Sequence, residues 1–330
     1  MADKQGVLVI GEIANNQLDL SSREMLGHGR KLADALHEPL SIALLGQDLG
    51  NMPKEAVAFG ADKVYAVADP LLQQYQVDAY LAALAALVKQ HSPRVVLLAK
   101  GPRGSELGPR LAFRLGTGLL QDCLEIKIDD NKQLVGNRPV YGGNCMSTVA
   151  CAGDPMMAVI RPKTGDPLER NDARAGEVVA FAPGLAASVV KNKIVQSVVQ
   201  PQEGIKLEEA AIVISGGRGL GGPEPFSKEL KDLAGLLNAG QGATRAAVDA
   251  GWVPYSFQVG LTGKTITPNV YIMIGISGAS QHMAGCTGAK VIVAINRDKD
   301  AEVFKSARYG VAGDWKKVVP AFIQQIRDMK

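Results

Sequence analysis

Ala210-Ala-Ile-Val-Ile-Ser-Gly-Gly-Arg-Gly-Leu-Gly-Gly222 starts as a buried-type strand and breaks straight into glycine. Val270-Tyr-Ile-Met-Ile-Gly-Ile-Ser-Gly-Ala-Ser-Gln-His282 does the same, ending in small residues. Strands that end in glycine just ahead of a helix are how an α/β sheet presents backbone N–H groups to phosphate. Two such turns in one stretch predict a Rossmann-like domain that holds a dinucleotide. Gly217-x-Gly-x-x-Gly222 matches the dinucleotide fingerprint in form. The acid expected about 20 residues further on is missing, however, and Leu237-Asn-Ala-Gly-Gln241 stands there instead, which argues against an ordinary NAD site. Ser277 and its neighbours are placed to cap the second helix, with His282 about one turn inside and over the same loop face.

Around this stretch the spacing predicts an amphipathic helix over 224–237 and another that begins at Gly242, with Thr244 and Arg245 at its amino end. A strand follows at 291–295, and an apolar stripe of Val318, Val319, Phe322, Ile323, Ile326 and Met329 marks a helix near the end of the sequence. Upstream, strands at 7–10, 40–45, 64–67 and 94–99 alternate with helices, the first with Ser21 and Ser22 as cap candidates. That alternation reads as a doubly wound parallel sheet. Lys100-Gly-Pro-Arg-Gly-Ser-Glu-Leu-Gly108 lacks the lysine and hydroxyl of a P-loop, so it reads as a plain connection ahead of a helix at 109–115. Residues 123–128, 134–140, 145–151 and 156–161 have hairpin-rich, antiparallel texture. From 162 to 183 the composition turns to Pro, Gly, Asp and Arg without periodicity, and 189–200 alternates like a strand. A boundary near 201–206 divides the chain into an amino-terminal α/β domain, 1–205, and a second domain, 206–330.

Composition bounds the function. In 330 residues a formal charge of +3, with no aromatic-studded basic run, gives no support for nucleic-acid binding. No apolar run approaches the roughly 20 residues that span a bilayer, and the start has no leader pattern, so a cytoplasmic location without membrane insertion is expected. Cys123, Cys145, Cys151 and Cys286 have no CxxC spacing; no metal site is indicated, and all four read as buried or half-buried thiols. His28, His37 and His91 lie on or beside amphipathic helices and read as surface residues. No nucleophile–base pair stands out, and Ser215 and Ser277 lack the G-x-S-x-G elbow, so no catalytic residue is assigned. Arg218 and Arg245 sit among Gly and Ala with few counter-charges nearby, suited to a phosphate or to a reduced, anionic ring.

Several long motifs then occur in one order. Val213-Ile-Ser-Gly-Gly-Arg-Gly-Leu220, Gly242-Ala-Thr-Arg-Ala-Ala-Val-Asp-Ala-Gly-Trp-Val-Pro254, Gln258-Val-Gly-Leu-Thr-Gly-Lys264 and the run from Tyr271 to His282 resemble the alpha subunit of electron transfer flavoproteins. The tail through Asn296, Tyr309 and Asp314 does too, as do 9–15 and 101–110, so the resemblance covers essentially the whole chain. It implies a carboxy-terminal FAD domain and an amino-terminal domain that docks on a beta subunit in a heterodimer. Carried over, Arg218 lies near the isoalloxazine, while Thr244 and Arg245 bind around the flavin and phosphates. Gln258, Val259, Gly260, Leu261 and Thr262 line the flavin. Ser277, Gly278, Ala279, Ser280 and Gln281 wrap the pyrophosphate, His282 faces the ring's C2 carbonyl, and Asn296 and Asp314 hold the adenosine end. A cation at that ring edge favours reduced flavin and raises its potential.

Three positions depart from the family pattern: Leu261 for a frequent glutamine, Met273 for a small residue and Ser280 for a β-branched one. Leu261 points toward the bifurcating or NADH-linked forms. The resemblance implies an acyl-CoA dehydrogenase or similar flavoprotein dehydrogenase as redox partner, and ferredoxin or flavodoxin as second acceptor in bifurcating forms. The competing readings are a stand-alone NAD(P)/FAD-dependent oxidoreductase acting on a small molecule, and a nucleotide-binding regulatory module.

Overall fold

The computed structural model describes residues 4–143, 145–192, 194–196 and 204–329. The chain divides into two compact units, Met1–Val140 with Met146–Ser197, and Tyr141–Cys145 with Val198–Lys330. Of the junction expected from the sequence, residues 201–203 lie outside the described residues.

In the first unit β1 (Val7–Gly11) passes through the hairpin β2 (Ile13–Ala14) and β3 (Gln17–Leu18) into α1 (Leu20–Leu36). Next come β4 (Leu40–Gly46), α2 (Met52–Ala58), β5 (Lys63–Ala68), α3 (Val77–His91), β6 (Val95–Ala99) and α4 (Pro102–Leu115). The unit continues through β7 (Leu120–Cys123), β8 (Glu125–Ile128), β9 (Leu134–Val140), β10 (Cys145–Ala150), β11 (Met156–Ile160) and β12 (Glu177–Phe181). Seven strands form one parallel sheet in the order β12-β5-β4-β1-β6-β11-β7. Its central strands are continuous apolar runs because both faces are covered: Val7, Val9, Val95 and Leu97 face one core, and Leu8, Ile10, Val96 and Leu98 the other.

Several expectations change here. Asp19, not Ser21 or Ser22, caps α1, its side chain accepting from the Ser21 amide at 2.9 Å. Helix α4 starts at Pro102, which suits the first turn, and runs on through Pro109. The hairpin texture holds for β8 and β9, but Met156–Ile160 is a parallel strand of the main sheet. Residues 177–181, read as irregular, form the edge strand β12 beside β5. Of the strand expected at 189–200, Val189 ends a 3-10 turn, residues 190–192 and 194–196 are irregular, and 193 and 197–200 lie outside the described residues. His28 is buried and hydrogen-bonds Thr164, whereas Cys145 is exposed.

The second unit runs β13 (Ile212–Gly216), α5 (Glu224–Ser227), α6 (Glu229–Leu237), β14 (Gly240–Thr244), α7 (Arg245–Asp249) and β15 (Gln258–Val259). It finishes with β16 (Val270–Ile274), α8 (Ser280–Met283), β17 (Val291–Asn296), α9 (Val303–Ser306), β18 (Tyr309–Ala312) and α10 (Trp315–Asp328). Its six strands are all parallel, in the order β15-β14-β13-β16-β17-β18. Counted from β13 this is 3-2-1-4-5-6, the Rossmann order, whose direction reverses between β13 and β16. Leu230, Leu233, Val319 and Ile323 of the covering helices pack on Ile214, Ile272 and Ile295.

The helix expected over 224–237 is broken at Lys228, whose backbone (φ −116°, ψ −95°) is not helical. Gly240-Gln-Gly-Ala-Thr244 has almost no strand-forming residues, yet it is a strand where the sequence suggested the start of a helix. Packing explains it: a Cβ at Gly242 would stand 2.5 Å from Ser215 Oγ on the neighbouring strand, so glycine permits the approach. Among the described residues no helix is long and apolar enough to cross a membrane.

Candidate functional site

The loops that leave β13 and β16 meet where the strand order reverses, the place where an open α/β sheet binds its ligand. The Gly217 amide donates to the Ile274 carbonyl at 2.9 Å and the Gly219 amide to the Gly275 carbonyl at 3.0 Å. Gly275 has φ +62°, and a Cβ there would lie 2.9 Å from the Gly219 carbonyl carbon; one at Gly219 would lie 2.7 Å from Gly275 O. The glycines therefore let two loops interlock and clear the space above them.

That space is a cleft of about 1160 Å³, bounded by the ends of β13, β14, β16 and β17, the loop after β15 and the start of α10. It exceeds the roughly 300–1,000 Å³ of most small-ligand pockets, so a dinucleotide can be accommodated. Arg218, Thr244, Arg245, Val259, Gly260, Leu261, Thr262, Ser277, Ala279, Gln281, His282, Asn296 and Asp314 line it. Gln258, Gly278 and Ser280 do not. Gln258 is buried behind the wall and donates to Thr262 Oγ1 at 3.1 Å. Gly278 (φ +88°) packs on the Val303 backbone. Ser280, exposed, begins α8.

The segment from Ser277 to Ala279 is not helical. Helix α8 is four residues long with Ala279 at its cap position and no side-chain cap, so Ser277 does not cap it. The sequence reading also missed Gly275, Arg297 and Lys316 in the wall. Gly275 and Arg297 follow β16 and β17 directly, and strand order was the only signal for them.

Polar groups around the cleft differ in how far they are committed. Asn296 donates to the Ile276 carbonyl at 2.9 Å and accepts from the Asp298 amide at 3.0 Å, tying two loops together. Asp314 caps α10 by accepting from Lys316 N at 3.0 Å. Arg245 is exposed and pairs with Asp249 at 3.2 Å, so it does have a counter-charge. Arg218 is exposed and has no hydrogen bond or ion pair to the described residues. Thr244 Oγ1 is buried and has no partner among the described residues, although Thr244 holds the cap position of α7. An orphaned buried hydroxyl in a cleft wall is a group awaiting a ligand. Leu261, 67% exposed, presents an apolar side chain at the cleft, and its amide donates to Gln281 O at 2.7 Å.

His282 is corrected most. It lines the cleft but is only 6% exposed, with Nδ1 3.0 Å from the Val259 carbonyl and Nε2 2.9 Å from the Tyr271 hydroxyl. Burial pulls its pKa down from the ordinary 6.5 to about 4, outweighing the Val259 carbonyl, which favours the cation. Burial therefore favours the neutral ring at neutral pH, against the cation that the resemblance suggests at this position. Among the described residues there is no cluster that could hold a metal ion.

With this geometry in view, the likeness to known proteins is specific. Residues 7–186 match the electron transfer flavoprotein domain, and residues 206–287 the electron transfer flavoprotein FAD-binding domain. The electron transfer flavoprotein subunit alpha of Thermoanaerobacterium thermosaccharolyticum is 42% identical, with 100% of both chains covered. That of Megasphaera elsdenii is 39% identical over 100% of this chain and 98% of the relative. The acryloyl-CoA reductase electron transfer subunit beta of Anaerotignum propionicum is 36% identical over 93% of this chain and 91% of its own. The chain belongs to the electron transfer flavoprotein alpha-subunit family, and its cofactor is FAD.

Proposed function

We propose that this chain is the FAD-carrying half of a heterodimer with an electron transfer flavoprotein beta subunit, working in the cytoplasm as a carrier between a dehydrogenase and a second redox protein. The observation that supports this best is the open cleft at the strand reversal, which gathers most of the residues that the family resemblance assigns to the cofactor. FAD also suits what the cleft offers: Thr244 Oγ1 needs a partner, and the interlocked glycines keep side chains off its floor.

When bound, FAD supplies the electron-accepting chemistry. The chain's own groups do the rest. Ser277, Ala279 and Gln281, with Gly278 and Ser280 shaping their segment, hold the pyrophosphate. Val259, Gly260, Leu261 and Thr262 form the flavin wall, stiffened from behind by Gln258. Leu261 excludes water there, since an apolar side chain replaces a polar contact. Asn296 and Asp314 stand at the adenosine end. The neutral His282 anchors the Val259 carbonyl, and the positive charge next to the flavin falls to Arg218 and Arg245.

The name of the Anaerotignum relative, an acryloyl-CoA reductase electron transfer subunit, supports a flavoprotein dehydrogenase of the acyl-CoA type as the partner. The apolar Leu261 favours the bifurcating form, with NADH as donor through beta and ferredoxin or flavodoxin as the second acceptor. The experiment is co-expression with the beta subunit, followed by an FAD count and a mixing assay. FAD bound to this chain and reduced by an acyl-CoA dehydrogenase or by NADH is expected. A flavin-free chain that oxidises NADH alone contradicts the carrier reading.

A further inference from the structure

Behind His282 lies a polar group to which no role has been given. Tyr271, on β16, is 0% exposed and among the largest fully buried side chains. Its hydroxyl is 2.9 Å from His282 Nε2 and its ring stacks at 27° to the imidazole, centroids 6.1 Å apart. On the other side of the ring, Nδ1 faces a backbone carbonyl, that of Val259. A carbonyl only accepts, so Nδ1 must carry the proton. In the neutral ring Nε2 is then a lone pair, and among the described residues the donor against it is the Tyr271 hydroxyl.

The phenol has one other polar neighbour. Ser215, on β13, is 0% exposed, and its hydroxyl makes no hydrogen bond to the described residues. Strand register places Val213 opposite Tyr271 and Ser215 opposite Met273, so Ser215 and Tyr271 share one face of the sheet. Cys286 is the other titratable group here; its thiol sits 3.7 Å from the His282 carbonyl and burial pushes it up to about 12, so it stays protonated. Among the described residues the ring's hydrogen-bond partners are the Tyr271 hydroxyl and the Val259 carbonyl. No charged side chain of the described residues hydrogen-bonds the ring.

We propose that Tyr271 is a positioning residue: by donating to Nε2 it locks His282 as the neutral Nδ1–H tautomer, and so holds the Val259 carbonyl and the 259–262 wall of the cleft in place. The chain of donors runs one way, from Tyr271 O–H to Nε2 and from Nδ1–H to Val259 O. Reversing it requires a cationic ring, with Nε2–H donating to the phenol and the phenol turning to Ser215. The cleft wall consequently meets its ligand through a fixed loop instead of through a charged imidazole. The tautomer follows from the hydrogen-bond geometry around the ring, and only the effect on FAD rests on the function proposed above.

The test is ¹⁵N NMR of histidine ring nitrogens at neutral pH in the full chain assembled with the beta subunit, both flavin-loaded and flavin-stripped. The chain has four histidines, and His282→Gln identifies the resonance. A protonated Nδ1 with a hydrogen-bonded, unprotonated Nε2 is expected in both states. Tyr271→Phe should leave Nε2 without its donor, so that the Nε2 resonance moves toward that of a lone pair free of hydrogen bonds while Nδ1 stays protonated, and weaken FAD binding roughly twofold to tenfold, the range of one hydrogen bond. Ser215→Ala should leave the tautomer as in the wild type. A cationic or Nε2–H ring in the wild type overturns the proposal even if Tyr271→Phe fails to fold. So does a Tyr271→Phe protein of lower melting temperature whose Nε2 resonance is unchanged. Tautomer results that hold while FAD fails to bind would break the functional reading and leave this one standing.

Discussion

Both large sheets of this chain reverse strand order between their first and fourth strands, β1 beside β6 and β13 beside β16, and the cleft described above lies at the second reversal. At the first, side chains fill the crossing. Ser22 Oγ bonds both the amide and the carbonyl of Glu12, which follows β1. Arg103, after β6, lies over the Tyr75 ring at 5.2 Å, and the Tyr75 hydroxyl donates to Glu106 at 2.9 Å. Gly104 lets α4 press onto the Ala99 carbonyl. An acid at the reversal also repels phosphate. At the second, Gly217, Gly219 and Gly275 interlock, no acid follows β13 or β16 directly, and the space above stays open. Topology offers the place twice; side-chain size and sign decide where it is used.

The largest predicted effect comes from closing the open crossing. Gly275→Val places a β-branched residue at φ +62° against the Gly219 backbone, at a cost of order 3 kcal/mol or more. Loss of bound FAD and a lower melting temperature are expected, and a variant that keeps full FAD would break the comparison.

The second effect is acid sensitivity. In the folded chain His282 titrates at about 4 against an ordinary 6.5. Between those values the unfolded chain binds more protons, so stability rises with pH: it is fully present above 6.5 and falls as pH drops toward 4. A shift of that size corresponds to roughly 3 kcal/mol. Denaturant titrations at pH 7 and pH 4.5 should show this fall shrink in His282→Gln, and an unchanged pH slope would mean the histidine is not buried as described.

Arg218→Gln should lower the flavin potential. If a charge-assisted contact is worth about 1.5–3 kcal/mol, the drop is roughly 30–65 mV for two electrons. A larger drop in His282→Gln than in Arg218→Gln in a redox titration would return the charge to the histidine. Thr244→Val sharpens the picture by splitting two readouts. The orphaned Oγ1 has nothing to lose in the free chain, so melting should not suffer, while FAD affinity falls roughly twofold to tenfold. The smallest effect belongs to the filled crossing. Burial raises the Glu12 pKa, so its carboxyl costs the fold stability as pH rises past the ordinary 4.5. Glu12→Gln should therefore raise the melting temperature at pH 7 without touching FAD; a loss of stability would show that the charge is used.

Much of this was legible in the sequence because the strands are pure apolar runs and the loops are glycine. Val95-Val-Leu-Leu-Ala99 and Val270-Tyr-Ile-Met-Ile274 have only one sensible placement. Gly240-Gln-Gly-Ala-Thr244 was not legible, since its extended form depends on neighbours that accept glycine and not on its own preference. Edge strand β12 hid in a Pro- and Arg-rich stretch for the same reason. In the site, Arg218, Thr244 and the 259–262 wall were found by motif. The neutral state that burial favours for His282 was not, because burial depends on residues that are remote in sequence and close in space. Asn296 and Asp314, expected from the resemblance at the adenosine end, line the cleft, and their work in loop tying and helix capping became visible only in three dimensions.

The central claim is that FAD lies in the open crossing of the second unit. Photolabelling of the assembled protein with an azido-FAD, followed by peptide mapping of this chain, tests it most directly. The account predicts label within residues 217–221, 259–262 and 277–282. Label concentrated at residues 11–13 or 100–104, at the filled crossing, would contradict it.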